Sequence, residues 1–417
     1  MLRSLSINGF KSLLEIENLE LAPLTIFFGP NAAGKSNLVD ALVVLSRLAT
    51  SQTIAEAFGE PLRGNPLELF TLPPGGLADL LGRERSTFRI DATLSSHGGK
   101  RSLRYACEIS IRPRSGTLSL EDEYLATLTT RGTPRGNPAI ERSGDVIRVR
   151  RKSKPAHPWE ERVGLHHTLL SNRRYSGKEY EAIEETRSVL TTFRSYYLDP
   201  RVAMRRAQPP REVDDIGALG ADLAPFLYRL QAEYDKHFAA VRRTVRYLIP
   251  SVDDVVVDLD EKRGIVNIEI VQDGTPFSVR IVSEGTLRVL ALAAMAVNPW
   301  GGSLIAFEEP ENGVHPRRLE LITELFWAMV AGAQGRERQV IVTTHSPLFC
   351  GSMVHLARRE PDRVVLYQVV RRQGRTVFER LDPAAPLFTD AEIRSGLTSP
   401  TEDGMFEALW LRGLLDG

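Results

Sequence analysis

The sequence has little cysteine and no long apolar run. Only two of its 417 residues are cysteines, Cys107 and Cys350, and neither lies in a metal-type spacing. The sequence therefore predicts neither a disulfide framework nor a zinc site. No run of about 18 apolar residues occurs, so no membrane span is predicted. The first ten residues lack the continuous apolar core of a signal peptide, and we expect a soluble cytoplasmic protein.

The chain also lacks net charge, because 53 basic residues balance 53 acidic ones. Any surface for nucleic acid must therefore be a local patch. One such patch is the span 131–178, where twelve Lys or Arg residues accompany only four Asp or Glu residues. A stretch of this kind is typical of a solvated surface insertion. It also permits a contact with DNA or an acidic partner, for which the candidates are Arg148, Arg150, Arg151 and Lys152.

A glycine-rich loop is the most specific signal in the sequence, because it matches the phosphate-binding pattern G-x-x-x-x-G-K-[ST]. Its glycines let backbone N–H groups surround a polyphosphate, while Lys35 reaches the β- and γ-phosphates and Ser36 ligates Mg²⁺. The apolar run 24–28 predicts a buried strand before the loop, and residues 37–45 predict a helix after it. The loop therefore predicts nucleoside triphosphate binding. The residues concerned are Gly29, Pro30, Asn31, Ala32, Ala33, Gly34, Lys35, Ser36 and Asn37.

A second motif, Ser283-Glu284-Gly285, opens the predicted apolar helix 289–297. A serine and a glycine at a helix start offer a hydroxyl, free backbone N–H groups and the positive end of the helix to an anion. By itself this is a common N-cap pattern. Its place between the phosphate-binding loop and the acidic strand described next favours a nucleotide-binding role.

Two further apolar runs each end in residues that carry chemistry. The run 304–307 predicts a strand that ends in Glu308 and Glu309, as in a Walker B motif. We expect Glu308 to hold Mg²⁺ and Glu309 to polarise the attacking water. The run 339–344 ends in His345, which can hydrogen-bond a γ-phosphate. Open α/β sheets bind their ligands at such strand ends.

The order of these motifs resembles that of the ABC-type ATPase heads of the RecF/SMC group. The sequence looks closest to the soluble prokaryotic branch that includes the ATPase part of the OLD nucleases. The resemblance implies an α/β fold: an ABC-type P-loop head with a mixed β-sheet core, an antiparallel β subdomain and a helical signature lobe. The matching segments are 8–12, 29–37, 283–288, 308–316 and 343–347.

The resemblance also implies a mechanism. Two heads would form a head-to-tail homodimer, or a higher homo-oligomer, around two ATP molecules. Each ATP would lie between residues 29–36 of one subunit and residues 283–285 of the other. Glu309 would activate water, His345 would contact the γ-phosphate, and residues 312–315 would cross between protomers. ATP would close the dimer and hydrolysis would release it.

Some features depart from the family pattern. Glu308 stands where many P-loop proteins have Asp, and the usual metal-contacting glutamine is not assigned. No long heptad coiled coil occurs, which argues against a true SMC protein. About seventy residues follow His345, fewer than the nuclease half of the OLD proteins needs. The tail acids Glu392, Glu402 and Asp403 do not make a convincing metal cluster.

We therefore predict an ATPase without its own nuclease. It would act as a sensor or motor with a separate effector, in a DNA-associated or anti-phage defence complex. The alternatives are an OLD-type nuclease, an ATP-gated scaffold for a partner toxin, and, disfavoured by the insertion and the Glu-Glu-Pro-Glu motif, a transporter subunit. The predicted division is a first part of the head at 1–96, an insertion at 97–195, a second part at 196–382, and a tail at 383–417.

Overall fold

The computed structural model describes residues 1–99, 101–332 and 338–383. Strands and helices are numbered in chain order. The strands are β1 (Leu2–Phe10), β2 (Leu13–Glu20), β3 (Leu24–Phe28), β4 (Ser86–Ser95), β5 (Ser102–Arg112), β6 (Thr117–Leu128), β7 (Ile140–Ser143), β8 (Val146–Val149), β9 (Trp159–Arg162), β10 (Phe193–Tyr196), β11 (Asp254–Asp260), β12 (Ile265–Gln272), β13 (Thr275–Ser278), β14 (Leu304–Glu308), β15 (Gln339–Thr344), β16 (Val364–Arg372) and β17 (Arg375–Leu381). The α-helices are α1 (Lys35–Leu48), α2 (Ile54–Ala57), α3 (Gly76–Gly82), α4 (Glu181–Leu190), α5 (Leu223–Glu233), α6 (Asp235–Leu248), α7 (Glu284–Ala296), α8 (Leu319–Val330) and α9 (Pro347–Arg359).

The first of two compact units comprises residues 1–22, 29–193 and 369–379. Its main feature is an antiparallel sheet in the order β2-β1-β4-β5-β6-β7-β8-β9. The alternation of apolar residues predicted β4, β5 and β6, and the structure confirms all three strands. Phe88 on β4 lies at the centre of an aromatic cluster, with its ring centroid 5.3 Å from that of Phe10 and 5.1 Å from that of Phe70. Such edge-on and tilted pairs stabilise the core beyond their buried area.

A buried carboxylate ties this sheet to a later part of the same unit. Glu123 on β6 is fully buried. It accepts hydrogen bonds from the Tyr105 hydroxyl at 2.9 Å and from the backbone N–H groups of Leu169 and Leu170 at 2.6 and 2.9 Å. Burial raises the pKa of Glu123 to about 7, although these donors favour the ionised form.

The second unit comprises, among the described residues, 23–28, 194–368 and 380–383. Its larger sheet has the order β10-β14-β15-β3-β16, and the pairs β14/β15, β15/β3 and β3/β16 are parallel. A smaller antiparallel sheet has the order β11-β12-β13. Parallel strands are buried on both faces and so are mainly apolar, and every residue of β3 and β14 is buried here. The predicted α/β fold is confirmed.

Helix α7 lies inside the second unit. Its residues from Gly285 to Met295 are all buried, and its apolar side chains cover the whole circumference of the helix. A helix of that composition is stable only when other elements surround it. None of the helices in the described part of the chain has the length and hydrophobicity that a membrane crossing requires.

Three elements end elsewhere than the sequence pattern predicts. The sequence pattern predicts a helical segment at 37–58, but the helix is interrupted after Leu48, and Thr53 caps the N-terminus of a new helix, α2. The apolar spacing also predicts one helical stretch at 223–248, which divides at Tyr234, whose backbone is not helical. The pattern at 277–281 predicts a strand, which ends at Ser278. The Arg205 guanidinium accounts for this last difference, since it donates hydrogen bonds to the carbonyl groups of residues 279, 280 and 282.

The four-part division of the chain stays a prediction. All but the first residue of the predicted tail, 383–417, lies outside the described residues.

We predict that Glu123→Gln makes stability less dependent on pH. The Glu123 carboxyl has a pKa of 4.5 when exposed and about 7 when folded, so the folded state holds the proton more tightly. The contribution of Glu123 to the free energy of unfolding is therefore present below pH 4.5 and is lost as the pH rises toward 7. The unfolding free energy of Glu123→Gln minus that of the unmodified chain should increase by about 3 kcal/mol over this window. Denaturant unfolding between pH 4.5 and 8 measures this difference in unfolding free energy. A difference that does not change with pH would contradict the raised pKa of Glu123.

Candidate functional site

The glycine-rich loop leaves the end of β3 in a conformation that its glycines permit. Gly29 and Gly34 have φ values of 152° and 110°, and Ala32 also has a positive φ of 64°. A Cβ atom on Gly29 would lie 2.1 Å from the carbonyl oxygen of Val369. A Cβ atom on Gly34 would lie 2.1 Å from Oγ1 of Thr376. Only glycine fits these two positions without displacing its neighbours.

Helix α1 begins directly after the loop and has no side-chain cap at its N-cap residue, Gly34. Its first backbone N–H groups and the positive end of its dipole are therefore available to an anion. The side chain of Lys35 is buried and donates hydrogen bonds from Nζ to the carbonyl oxygens of Gly29 and Pro30, at 2.7 and 2.8 Å. The lysine ammonium is thus held by carbonyl groups of its own loop, and its contact with phosphates stays a prediction.

Two residues that carried no predicted role support the loop. Thr376 on β17 donates a hydrogen bond to the carbonyl oxygen of Ala33 at 2.9 Å, and its hydroxyl lies 2.7 Å from that of Ser12. The amide of Asn37 in turn donates to Ser12 at 2.7 Å. Ser12 belongs to the Asn-Gly-Phe-Lys-Ser segment, so the sequence contained a signal for it. No sequence signal marked Thr376.

A charge cluster supports the helix behind the loop. Asp40 on α1 is buried, and its two carboxylate oxygens pair with Lys11 at 2.6 Å and Arg63 at 3.1 Å. Arg63 also donates to the carbonyl oxygen of Ser36 at 2.9 Å. These two cations satisfy a carboxylate that would be costly to bury alone, and they fix the first turns of α1.

In the second unit the parallel register brings the strand ends to one edge. Glu308 at the end of β14 is paired with Thr343, and Thr344 at the end of β15 is paired with Phe28 at the end of β3. Glu309 and His345, which follow β14 and β15, therefore lie at the same edge of this sheet. Glu308 itself is buried.

Glu309 has a strained backbone and two polar neighbours. Its φ is 48°, a left-handed value that is uncommon for a residue with a side chain. Its carboxylate accepts a hydrogen bond from Nδ2 of Asn312 at 2.7 Å. The other carboxylate oxygen lies 3.1 Å from Nδ1 of His345, a distance that suits an ion pair although the alignment is not that of a hydrogen bond. Strained residues of this kind cluster at functional sites.

A second carboxyl, that of Glu311, is buried beside this group. It accepts a hydrogen bond from the hydroxyl of Thr344, while its Oε2 atom has no partner among the described residues. Burial raises the pKa of Glu311. Burial likewise lowers the pKa of Arg288 on α7, whose Nε atom has no hydrogen-bond partner, although Glu309 and Glu311 act in the opposite direction. Sequence reasoning assigned no role to Glu311 or Arg288.

The serine motif forms the exposed end of the buried helix α7. Ser283 is exposed and caps the helix, because its hydroxyl accepts a hydrogen bond from the N–H of Thr286 at 3.2 Å. Glu284 is held by Arg201 at 2.8 Å. Gly285 is packed so closely that a Cβ atom there would lie 2.3 Å from the carbonyl oxygen of Gly313. The serine motif and the segment after the acidic strand are therefore in direct contact.

Large apolar side chains are exposed next to the serine motif. Ile281, two residues before Ser283, is 72% exposed, Val202 is 53% exposed and Tyr197 is 52% exposed. Arg205 joins the segment of Val202 to the segment of Ile281, because it donates to the carbonyl oxygens of Pro200, Val279 and Val282. Exposed apolar clusters of this kind mark protein–protein contacts.

Three of the four candidate DNA-contacting residues are paired cations, and the fourth is a stacked cation. Arg148 pairs with Glu160 at 2.9 Å, Arg150 hydrogen-bonds Glu141, and Lys152 pairs with Glu181 at 2.9 Å. The guanidinium of Arg151 lies 5.6 Å from the centre of the Trp159 ring. Three of the four predicted DNA-contacting residues thus have acidic partners, and their contact with DNA stays a prediction.

Comparison with known proteins identifies the family. Residues 24–351 match the family described as "AAA domain, putative AbiEii toxin, Type IV TA system". The chain belongs to this family. The matched region begins with β3 and ends within α9, so it contains the phosphate-binding loop, the serine motif, the acidic strand and His345. No curated protein matches the sequence.

Solved structures agree on the fold. The "SmcHead bound to the C-winged helix domain of ScpA" aligns with 91% of this chain and 98% of its own, at 13% identity and a TM-score of 0.54. An SMC head domain from Thermotoga maritima aligns with 91% and 99% of the two chains, at 14% identity and a TM-score of 0.42, too low to add to the assignment. The predicted fold, that of an ABC-type P-loop head, is confirmed. The closer likeness to the OLD proteins stays a prediction.

We predict that Gly285→Ala disrupts the contact between the serine motif and the segment at Gly313. The added methyl group would overlap a backbone carbonyl, and overpacking of this kind costs about 1–3 kcal/mol. The melting temperature should fall and amide exchange at the start of α7 should accelerate. Gly82→Ala is the matched control, since a Cβ atom there meets nothing within 4 Å. Equal melting temperatures for the two variants would contradict the contact.

Proposed function

We propose that this chain binds and hydrolyses ATP as an ABC-type head that closes into a head-to-tail homodimer, or a higher homo-oligomer, with ATP sandwiched between subunits. The observation that carries the proposal is the position of Ser283. It is the exposed cap of a helix that is otherwise buried, and exposed apolar side chains adjoin it. An anion-binding helix end beside an apolar patch suits a second protein surface that carries bound phosphates.

The nucleotide would be held by the loop Gly29–Ser36 and by Asn37. The uncapped start of α1 and the two close-packed glycines fit a polyphosphate, and the ammonium of Lys35 is already placed in the loop. Ser36 and Glu308 would each offer a hard oxygen ligand to Mg²⁺. Bound Mg²⁺ would neutralise charge on the phosphates.

Glu309 is proposed as the general base. Its carboxylate is only partly buried, and Asn312 holds one of its oxygens while the other lies beside His345. A carboxylate that is oriented in this way can take a proton from an attacking water. His345 would contact the γ-phosphate and register its loss. Ser283, Glu284 and Gly285 of the second subunit would complete the site.

We further propose a separate effector and a role in an anti-phage or DNA-associated complex. The family description names a toxin of a type IV toxin–antitoxin system, and the SMC head with a similar fold is described as bound to the C-winged helix domain of ScpA. These descriptions support a partner protein. Contact with DNA through Arg148, Arg150, Arg151 and Lys152 is the weaker element, because three of them pair with acids.

An OLD-type nuclease and an ATP-gated scaffold for a toxin remain the alternatives. In the ranges 1–99, 101–332 and 338–383 no group of three or more His, Cys, Asp or Glu residues is arranged to hold a metal ion. Glu392, Glu402 and Asp403 lie outside those ranges. Plasmid cleavage by the purified chain with Mg²⁺ or Mn²⁺ would favour the nuclease.

We predict that Glu309→Gln abolishes hydrolysis and stabilises the closed dimer. The amide keeps the size of the carboxylate but cannot accept the proton from water, so bound ATP would persist. With ATP and Mg²⁺, light scattering after size exclusion should give a larger mass for this variant than for the unmodified chain. A loss of at least a hundredfold in turnover is expected, in line with the removal of a general base.

Glu320→Gln is the control for that experiment, because Glu320 is an exposed acid in the same unit and lies on α8. It should change neither the turnover nor the mass. Unchanged turnover in Glu309→Gln would remove Glu309 from the mechanism. A monomeric mass for Glu309→Gln that still binds ATP would contradict the sandwich.

A further inference from the structure

The first unit contains a cavity that the ATPase mechanism does not use. Its volume is about 500 Å³, within the range of pockets that bind small molecules. Residues from the end of β6, from the chain that follows β8 and from the start of α4 form its wall. None of these residues belongs to the phosphate-binding loop, the serine motif or the acidic strand.

The wall of the cavity is strongly basic. Two carboxylates, those of Glu179 and Glu181, face five cationic side chains. A concave site with an excess of positive charge along its wall concentrates anions. The five cations are Arg101, Arg135, Arg150, Arg151 and Lys152.

Three of the five cations already have protein partners. Arg101 and Lys152 share the carboxylate of Glu181, at 3.1 and 2.9 Å. Arg150 is hydrogen-bonded to Glu141. These pairs hold the wall together and offset part of its positive charge.

Arg135 and Arg151 differ from these three paired cations. The side chain of Arg135 makes no hydrogen bond or ion pair with any residue in the described ranges. Arg151 packs against Trp159, and its Nε atom is buried without a hydrogen-bond partner. The guanidinium groups of Arg135 and Arg151 therefore keep N–H donors for the acceptor oxygens of a ligand in the cavity.

An aromatic ring completes the wall. Tyr180 lines the cavity, and Tyr175 fixes its orientation through an edge-on contact with ring centroids 5.4 Å apart. The apolar residues Ala139 and Pro155 also line the cavity. A held aromatic side chain beside apolar residues suits a planar ring, whereas two unpaired guanidinium groups suit a phosphoryl group.

We propose that this cavity binds a small phosphorylated ligand of the nucleoside monophosphate class, with its phosphate on Arg135 and Arg151 and its ring beside Tyr180. A cavity of this volume suits a small molecule, whereas duplex DNA needs a long stripe of cations that follows its backbone. This site is separate from the ATP site in sequence and does not depend on the proposed hydrolysis. The head thereby has a second ligand-binding site.

The test is a titration of the full chain that carries Lys35→Ala, so that the glycine-rich loop contributes little binding. Calorimetry with the 5′-monophosphates of adenosine, guanosine, cytidine and uridine should detect at least one complex. The parent nucleoside without phosphate should bind at least tenfold more weakly. The double change Arg135→Gln and Arg151→Gln should weaken the monophosphate at least tenfold.

The matched control is the double change Arg131→Gln and Arg173→Gln, which removes the same charge from exposed positions of the same insertion. It should keep the affinity within about twofold, since screened charges at a distance contribute little. The single change Arg135→Gln is the control for misfolding, because the side chain of Arg135 has no partner among the described residues to lose. Melting curves of every variant accompany the titrations.

Three results would overturn the proposal. The first is that none of the four monophosphates binds. The second is that the control weakens binding as much as the cavity variant does, which would indicate unspecific attraction. The third is that a 20-base-pair DNA duplex binds through Arg135 and Arg151 while the monophosphates do not. None of these bears on hydrolysis at the loop, whose failure would show instead in the Glu309→Gln experiment.

Discussion

The burial of α7 is the constraint on which the proposed mechanism depends. A helix that is apolar around its whole circumference must be enclosed, so only its ends reach solvent. Its N-terminal end carries Ser283, and that end is the part available to a ligand or a partner. Gly285 fixes the end against the backbone of Gly313, and Arg205 fixes the chain that leads into it. A burial requirement in the core thereby sets the position of a motif at the surface.

The chemistry depends on a second constraint, the parallel register of β14, β15 and β3. Because the strands end together, the residues after β14 and β15 lie side by side, and Glu309 comes within 3.1 Å of His345. The left-handed backbone at Glu309 turns its carboxylate toward Asn312 and His345. Buried Glu311 and Thr344 connect the two strand ends beneath it. The group is therefore held by backbone geometry as well as by hydrogen bonds.

Much of this could be predicted from the sequence, because each motif combines a hydrophobic period with a fixed spacing of polar residues. The strand before the loop, the strand that ends in Glu308 and the α/β fold follow from such patterns. Thr376 could not be predicted, since it reaches the loop from a strand more than three hundred residues away. Arg288 and Glu311 were missed because their role depends on what surrounds them in the folded chain. The partners of Arg148 and Lys152 were missed for the same reason: acids distant in sequence neutralise a stretch that looks basic in isolation.

The central claim is that one copy of the chain supplies the loop and another supplies the serine motif. The most direct measurement mixes two inactive variants, Lys35→Ala and Ser283→Arg, and assays ATP hydrolysis. In a head-to-tail dimer of one variant with the other, both defects fall in one composite site and the second site is intact. The account predicts that the mixture regains activity that neither variant has alone. A mixture as inactive as its components, with mixed dimers shown to form, would contradict it.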